Sequence, residues 1–319
     1  MMRNPRGMGN QIRISLPTDE NGLISRKCPN FYCGGVFKVK TGTGLKGSNL
    51  PCHCPYCGHK TDMGEFNTPE QIEYAKSVAI NQITNAIKKD MEYWGKQLER
   101  STSNSFIKMS VDYKSHPHPI RYYQEKQIET FVTCDVCTLE YAIFGVFAFC
   151  PDCGTHNSVQ ILNKNLELVV KEIAFASTIE DAELAKRLIE DALENAVSSF
   201  DGFGRATCSA FADKSSNANE AKEISFQNVA GAQSRVQLLF GVDITNRIKT
   251  EQWDFVARCF QKRHLLAHKM GVIDDEYVKK AKDPQAIEGR KITITEEEVL
   301  QLVGLLKIIG TNIFDNLKS

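Results

Sequence analysis

Two groups of cysteines at metal-ligand spacing, one long helical pattern between them and a run of amphipathic helical patterns after them predict a multidomain chain. The expected fold class is two small β zinc ribbons joined by a long helix, followed by an all-α helical bundle. The expected boundaries are a basic tail over 1–25, a first ribbon over 26–66, a helical linker and extended segment over 67–129, a second ribbon over 130–160 and the bundle over 161–319.

Composition frames these elements. With 319 residues and 42% hydrophobic content, the chain can bury at least one sizeable core, which excludes a disordered protein. Eleven cysteines could suggest a secreted disulfide scaffold, but nine fall in two clusters whose spacing fits metal. The chain opens without an apolar signal segment, and no apolar run reaches the roughly 18 residues of a membrane span, so a cytoplasmic protein with no membrane partner is expected. Net charge is zero, yet residues 1–61 carry nine Lys/Arg against two Asp/Glu, while residues 164–200 carry four against eight. Even after two charges are subtracted for a zinc tetrathiolate, the amino-terminal region stays positive and permits a phosphate-binding face.

The first ribbon is written as Cys28-x4-Cys33 and Cys54-x2-Cys57, with Gly34 and Gly58 relaxing the backbone just past the last ligand of each pair. Four sulfur ligands favour a structural Zn²⁺, with Cys52 and His53 close enough in sequence to compete for a position. Val36–Lys40 is the expected strand, and Gly42-Thr43-Gly44 with Gly47-Ser48-Asn49 the turn region. The second ribbon is Cys134-x2-Cys137 and Cys150-x2-Cys153, with the β-favouring stretch 140–149 between the pairs. Two structural zinc ions and no catalytic metal follow, because four thiolates leave no open coordination position. The simplest role for each metal is to replace a core too small to hold itself together. A further role is open to Arg26, Lys27, Lys38, Lys40 and Lys46 with Phe31, Tyr32 and Phe37: a cationic surface with stacking rings for single-stranded RNA.

Between the ribbons, Thr68 as N-cap and Pro69 at the first helical position start a helix. Ile72, Ala75, Ala79, Ile83, Ile87, Met91 and Trp94 recur at three or four residues and carry it to near Arg100, as a spine or, alternatively, a dimerising coiled coil. Ile107–Val111 alternates like a strand, and His116-Pro117-His118-Pro119 is extended, which points its histidines to opposite faces and away from a shared metal.

Five helices are expected in the bundle. The first carries Leu166, Val169, Val170 and Ile173; the second follows a cap at Thr178 and carries Leu184, Leu188, Leu193 and Val197. A third spans Ser225 to about Leu239. The fourth runs from about Glu251 to Met270 and stops at Gly271, and after a polar hairpin-like stretch Thr295 caps the last. Cys208 and Cys259 read as ordinary buried thiols.

The fourth helix holds the chemistry. Arg263-His264-Leu265-Leu266-Ala267-His268 combines a permanent cation with two imidazoles, and imidazole exchanges protons near neutrality. At about 100° per residue, His264 and His268 lie about 40° apart, whereas Arg263 is about 140° from His268. One copy of the helix therefore supplies half a site, and a second copy across a two-fold axis could complete it.

This Arg-polar-x3-His pattern, late in a helical bundle, resembles the signature of HEPN domains, a superfamily rich in metal-independent ribonucleases. Asp201-Gly202-Phe203-Gly204-Arg205, after a long helix, also resembles a segment of some HEPN proteins. The resemblance covers roughly 164–319 and none of the ribbons. It implies a HEPN-like bundle, a homodimer with a composite site, and an endoribonuclease that cleaves RNA by attack of the 2′-hydroxyl, in a toxin or anti-phage setting. Arg263 would stabilise charge on the scissile phosphate, His268 would act as general base or acid, and His264 would orient them, with Arg258 as an auxiliary RNA contact beside Lys38 and Lys40. The expected products are a 2′,3′-cyclic phosphate and a 5′-hydroxyl; tRNA and phage or host transcripts are the candidate RNAs. The rival readings are a catalytically silent HEPN-like module and a zinc-ribbon RNA-binding or regulatory assembly protein.

Overall fold

The computed structural model describes residues 12–44, 51–103, 106, 109–111, 118–124 and 130–319. Residues 1–11 of the basic tail, Lys46 with the turn at 47–49, Ile107, Lys108, His116 and Pro117 lie outside these described residues. Small antiparallel sheets come first and a mostly helical region follows. The chain divides into two compact units: Met1–Gly145 with Cys150–Gly154, and Val146–Phe149 with Thr155–Ser319.

In the first unit, β1 (Leu23–Lys27), β2 (Val36–Lys40), β5 (Thr130–Thr133) and β6 (Glu140–Ile143) form one antiparallel sheet in the order β1-β2-β6-β5. The spacing of cysteines gives two ribbons, but not that β2 of one pairs with β6 of the other, with Lys38 opposite Ala142 and Val39 opposite Tyr141. Alternation along β2 then divides its residues: Phe37 and Val39 are fully buried, against a core that includes Phe66, and Phe37 meets Phe66 edge-on at 5.7 Å. A separate hairpin pairs β3 (Pro51–His53) with β4 (Lys60–Asp62).

The expected long helix is α1 (Pro69–Thr102), started by a reciprocal capping box between Thr68 and Gln71. Gln71 also donates to the Ser25 carbonyl at 2.8 Å, which ties the start of α1 to β1. Ile72, Ile83, Ile87 and Trp94 remain exposed, so their periodicity marks a helix without burying it here. Residues 109–111 form no strand.

The second unit is built from α2 (Ser158–Ala176), α3 (Ala182–Ala210), α4 (Ala218–Lys222), α5 (Val229–Phe240), α6 (Thr250–Lys269), α7 (Asp275–Lys280) and α8 (Glu296–Lys318). α8 buries Leu302, Leu306, Ile309 and Ile313 against a core shared with α2, α3 and α6. Two helix starts differ from the sequence expectation. Asp181, not Thr178, caps α3 by accepting from the amides of Glu183 and Leu184, and Thr178 instead closes the end of α2 by donating to the Phe175 carbonyl. α5 begins at Val229 under Asn228, because Ser225 and Phe226 are held by Asp201.

That last contact explains the Asp201–Arg205 segment. Asp201 accepts from the Phe226 amide at 2.6 Å and from Arg205 Nε at 2.9 Å, while Arg205 also donates to Ser225. Gly204 lies under the Phe226 ring so closely that a Cβ there would sit 2.3 Å from it. The segment clamps the α4–α5 connection onto α3.

Candidate functional site

Each ribbon brings its four cysteines together: Cys28, Cys33, Cys54 and Cys57 form one group, and Cys134, Cys137, Cys150 and Cys153 the other. Cys28 and Cys57 Sγ lie 3.7 Å apart, as do Cys33 and Cys54; the second group shows 3.7 Å for Cys134–Cys153 and 3.5 Å for Cys137–Cys150. A disulfide needs about 2.05 Å, whereas a tetrahedron with Zn–S near 2.3 Å has edges of about 3.8 Å. The donor set and its spacing therefore fit structural zinc in both places.

Local sequence dictates this convergence. In the x2 knuckles, the amide following the second cysteine reaches back to the first: Gly58 to Cys54, Gly154 to Cys150 and Thr138 to Cys134, each at 2.9 Å. Those three residues, with Gly34, have φ between 55° and 70°, a conformation glycine adopts freely and Thr138 does not. The wide Cys28-x4-Cys33 knuckle returns instead to Asn30, whose carbonyl accepts from Cys33 and Gly34. Burial pushes the Cys28 thiol up to about 11 and Cys137 to about 12, so a cation is what would hold these groups as thiolates.

Neither competing ligand joins the first group. Cys52 is buried outside it, and burial pushes its thiol up to about 12. His53 instead joins the two ribbons: its amide donates to the Pro151 carbonyl at 2.8 Å, and its ring lies within 3.2 Å of the Asp152 carbonyl. Sequence spacing could not reveal this contact between segments about a hundred residues apart.

The cationic surface expected from the first ribbon is largely committed elsewhere. Lys38 is buried and paired with Asp19 at 2.6 Å, Lys40 pairs with Glu140 at 2.7 Å, and Arg26 is buried against Gln71. The physical reason is register: Lys38 and Lys40 share one face of a strand with neighbours on both sides, so their ammonium groups meet carboxylates before solvent. Phe37 belongs to the core. Lys38 and Lys40 therefore each spend their charge on a carboxylate of the same unit, Lys38 buried and Lys40 half-exposed.

In the second unit, the six-residue run ends α6. His264 and His268 are exposed, with ring centroids 4.7 Å apart. Arg263 lies half-buried, its Nε enclosed without a hydrogen-bond partner. The structure thus brings the two imidazoles together, as the angular spacing requires, and leaves Arg263 half-buried. Met270 and Gly271 close the helix with positive φ, and the following segment folds back: Val272 bridges Lys291, and the Ile273 amide meets the Arg290 carbonyl. Sequence reading missed Lys262, which is buried and bridges the Thr293 carbonyl and Glu298, fixing α6 against the start of α8. Arg258 donates to the Lys282 carbonyl and covers the Phe255 ring, so it too is engaged within its own unit.

No protein-family model, curated protein or solved structure matches this chain. Among the described residues, no helix is long and apolar enough to cross a membrane.

Proposed function

We propose that the protein is a metal-independent endoribonuclease of the HEPN type, with its active site completed across a homodimer and each ribbon holding a structural zinc ion. The observation that carries this reading is the pair of exposed imidazoles at the end of α6, one residue beyond a half-buried arginine. In the reaction, His268 takes the proton of a ribose 2′-hydroxyl, the 2′-oxygen attacks phosphorus, and the 5′-oxygen leaves with a proton from a second imidazole. The guanidinium of Arg263 offsets the charge that builds on the phosphate, and His264 orients its neighbour. RNA carries its own nucleophile, so the chemistry needs no metal, and the ribbons' four thiolates leave a zinc ion no position for substrate. The cytoplasm, where such an enzyme meets tRNA or phage transcripts, is its expected setting.

Incubation of the purified chain with varied RNAs, tRNA included, tests this in brief chelation. Cleavage to 2′,3′-cyclic phosphate ends is expected, and Arg263→Ala and His268→Ala should each lower it by about a hundredfold or more. Absence of cleavage by the wild type, or cleavage indifferent to both substitutions, overturns the reading.

The enclosure of the Arg263 Nε beside two exposed imidazoles favours a second reading, a catalytically silent module in a zinc-ribbon RNA-binding assembly. It predicts RNA that is bound but left intact whatever residue stands at 268.

A further inference from the structure

The first ribbon's wide knuckle contains two residues more than the usual knuckle, and its interior carries two rings that the fold does not use. Phe31 is 93% exposed and Tyr32 95%, while Phe37 and Phe66 in the neighbouring core are fully buried. Apolar rings held in water lose the burial that would stabilise them, so folding does not account for them. Nor is their backbone loose. The Asn30 side chain accepts from the Tyr32 amide at 3.0 Å, the Asn30 carbonyl accepts from Cys33 and Gly34, and the Cys28 amide donates to the Gly35 carbonyl. Tyr56 seals the base of the knuckle: a Cβ on Gly35 would sit 2.3 Å from its ring, and its hydroxyl donates to the Val36 carbonyl. The two rings stand edge-to-face, 5.7 Å between centroids and 84° between planes, leaving ring faces open to solvent.

The surroundings select the occupant. Residues 21–61 contain no Asp or Glu. Lys27, which adjoins Cys28, and His59 and Lys60, which follow Cys57, are exposed, and the Cys28–Cys57 contact draws both segments to the same end of the unit. Neither lysine is ion-paired among the described residues, in contrast to Lys38 and Lys40. Two rings are far too small an area for a protein interface, which needs about 800 Å² on each partner. They suit unpaired bases, each of which has a π-face, with lysines beside them for the phosphates.

We infer that the Phe31–Tyr32 knuckle is a stacking site for unpaired RNA bases, flanked by Lys27 and Lys60 as phosphate contacts. This deepens the nuclease reading by naming single-stranded RNA as the recognised substrate class, but it rests on different residues and stands or falls separately.

The test is anisotropy of labelled short homopolymeric RNA strands, and of a duplex of equal length, titrated with the full-length chain carrying His268→Ala so that no substrate is consumed. Phe31→Ala/Tyr32→Ala should weaken single-strand binding by roughly ten- to a hundredfold at unchanged zinc content and leave duplex binding as it was. Tyr32→Trp in the Phe31-containing chain should retain single-strand binding. Single-strand affinity unchanged by the double substitution, or absent from the parent, overturns the inference. So does a double variant that keeps its RNA affinity but loses binding to phosphatidylcholine–phosphatidylserine vesicles, or loses self-association. A nuclease assay in which Arg263→Ala and His268→Ala cut normally would defeat the catalytic reading while leaving this site untouched.

Discussion

The two units keep their shape by different means. The ribbon unit buries a short list of large side chains, Phe37, Phe66, Leu139, Tyr141 and Ile143 among them, around a sheet of strands four or five residues long. The helical unit buries a continuous core from Leu162 to Leu317. Apolar burial stabilises in proportion to area, so the second can stand on packing, while the first has eight cysteines placed where packing is thin. A metal in each group would link segments that share few apolar contacts, such as the turn at Cys28–Cys33 with that at Cys54–Cys57. With a metal in each group, stability in the ribbon unit would be chemical and conditional, whereas in the bundle it is distributed.

The largest expected effect breaks the comparison at its metal side. Cys134→Ser, or sustained chelation, removes a ligand set whose metal is worth on the order of 10 kcal/mol to a small domain. Limited proteolysis should then open sites within residues 12–145 while α2 to α8 stay protected, with zinc release read by a chromophoric chelator. Equal protection of both units in the stripped protein would mean that the ribbon unit stands without metal.

A core substitution breaks the other side. Phe203 is fully buried, packs on Phe200 at 5.8 Å and lies beneath Gly310 of α8. Phe203→Ala should cost about 3–5 kcal/mol in urea unfolding of the helical unit without changing zinc content. A loss below about 1 kcal/mol would show that the bundle does not depend on this layer.

How much of this was legible follows the same division. Both metal groups could be read from local spacing, because a knuckle is a short-range device: its ligands, its glycine and its returning amide lie within about five residues. The long helices were legible from periodicity but the short α4 and α7 were not, and α1 was placed nearly to the residue because Thr68, Pro69 and Gln71 write a complete cap. Long-range pairing was not legible. Nothing local tells Lys38 that Asp19 awaits it, or His53 that the Cys150–Cys153 turn lies alongside. The same holds for Thr178, a good cap by composition that the chain places in the turn ending the preceding helix. At the candidate site, angular arithmetic gave the pairing of His264 with His268 and the separation of Arg263, since both depend only on helix geometry.

A pH dependence should appear in the helical unit. His156 belongs to neither cysteine group; it is buried against Phe149 and Phe211, and burial lowers its imidazole to about 4. The folded chain thus holds it neutral where the unfolded chain, with an ordinary value near 6.5, takes a proton. Its contribution is fully present above about 6.5 and is lost as pH falls toward 4, up to about 3 kcal/mol in all. Urea unfolding followed on the α2–α8 unit should therefore weaken on acidification across that window, and His156→Leu should flatten the dependence. An equally steep loss in the variant would assign the acid sensitivity elsewhere.

The smallest effect sharpens the comparison inside the ribbon unit itself. Three of its four knuckles place glycine just past the second cysteine, and the fourth places Thr138 there at φ 63°. A β-branched side chain in the left-handed region crowds its own backbone, and its hydroxyl, 2.6 Å from the Cys137 carbonyl, offsets part of that cost. Thr138→Gly relieves the crowding but enlarges the freedom of the unfolded chain, so the net gain should be small, about 1 kcal/mol or less. It should appear as slower zinc release from the second group alone, with the first group and the bundle's unfolding midpoint unmoved. Faster release would mean that the hydroxyl contact outweighs the strain, and that this knuckle carries threonine for its hydrogen bond.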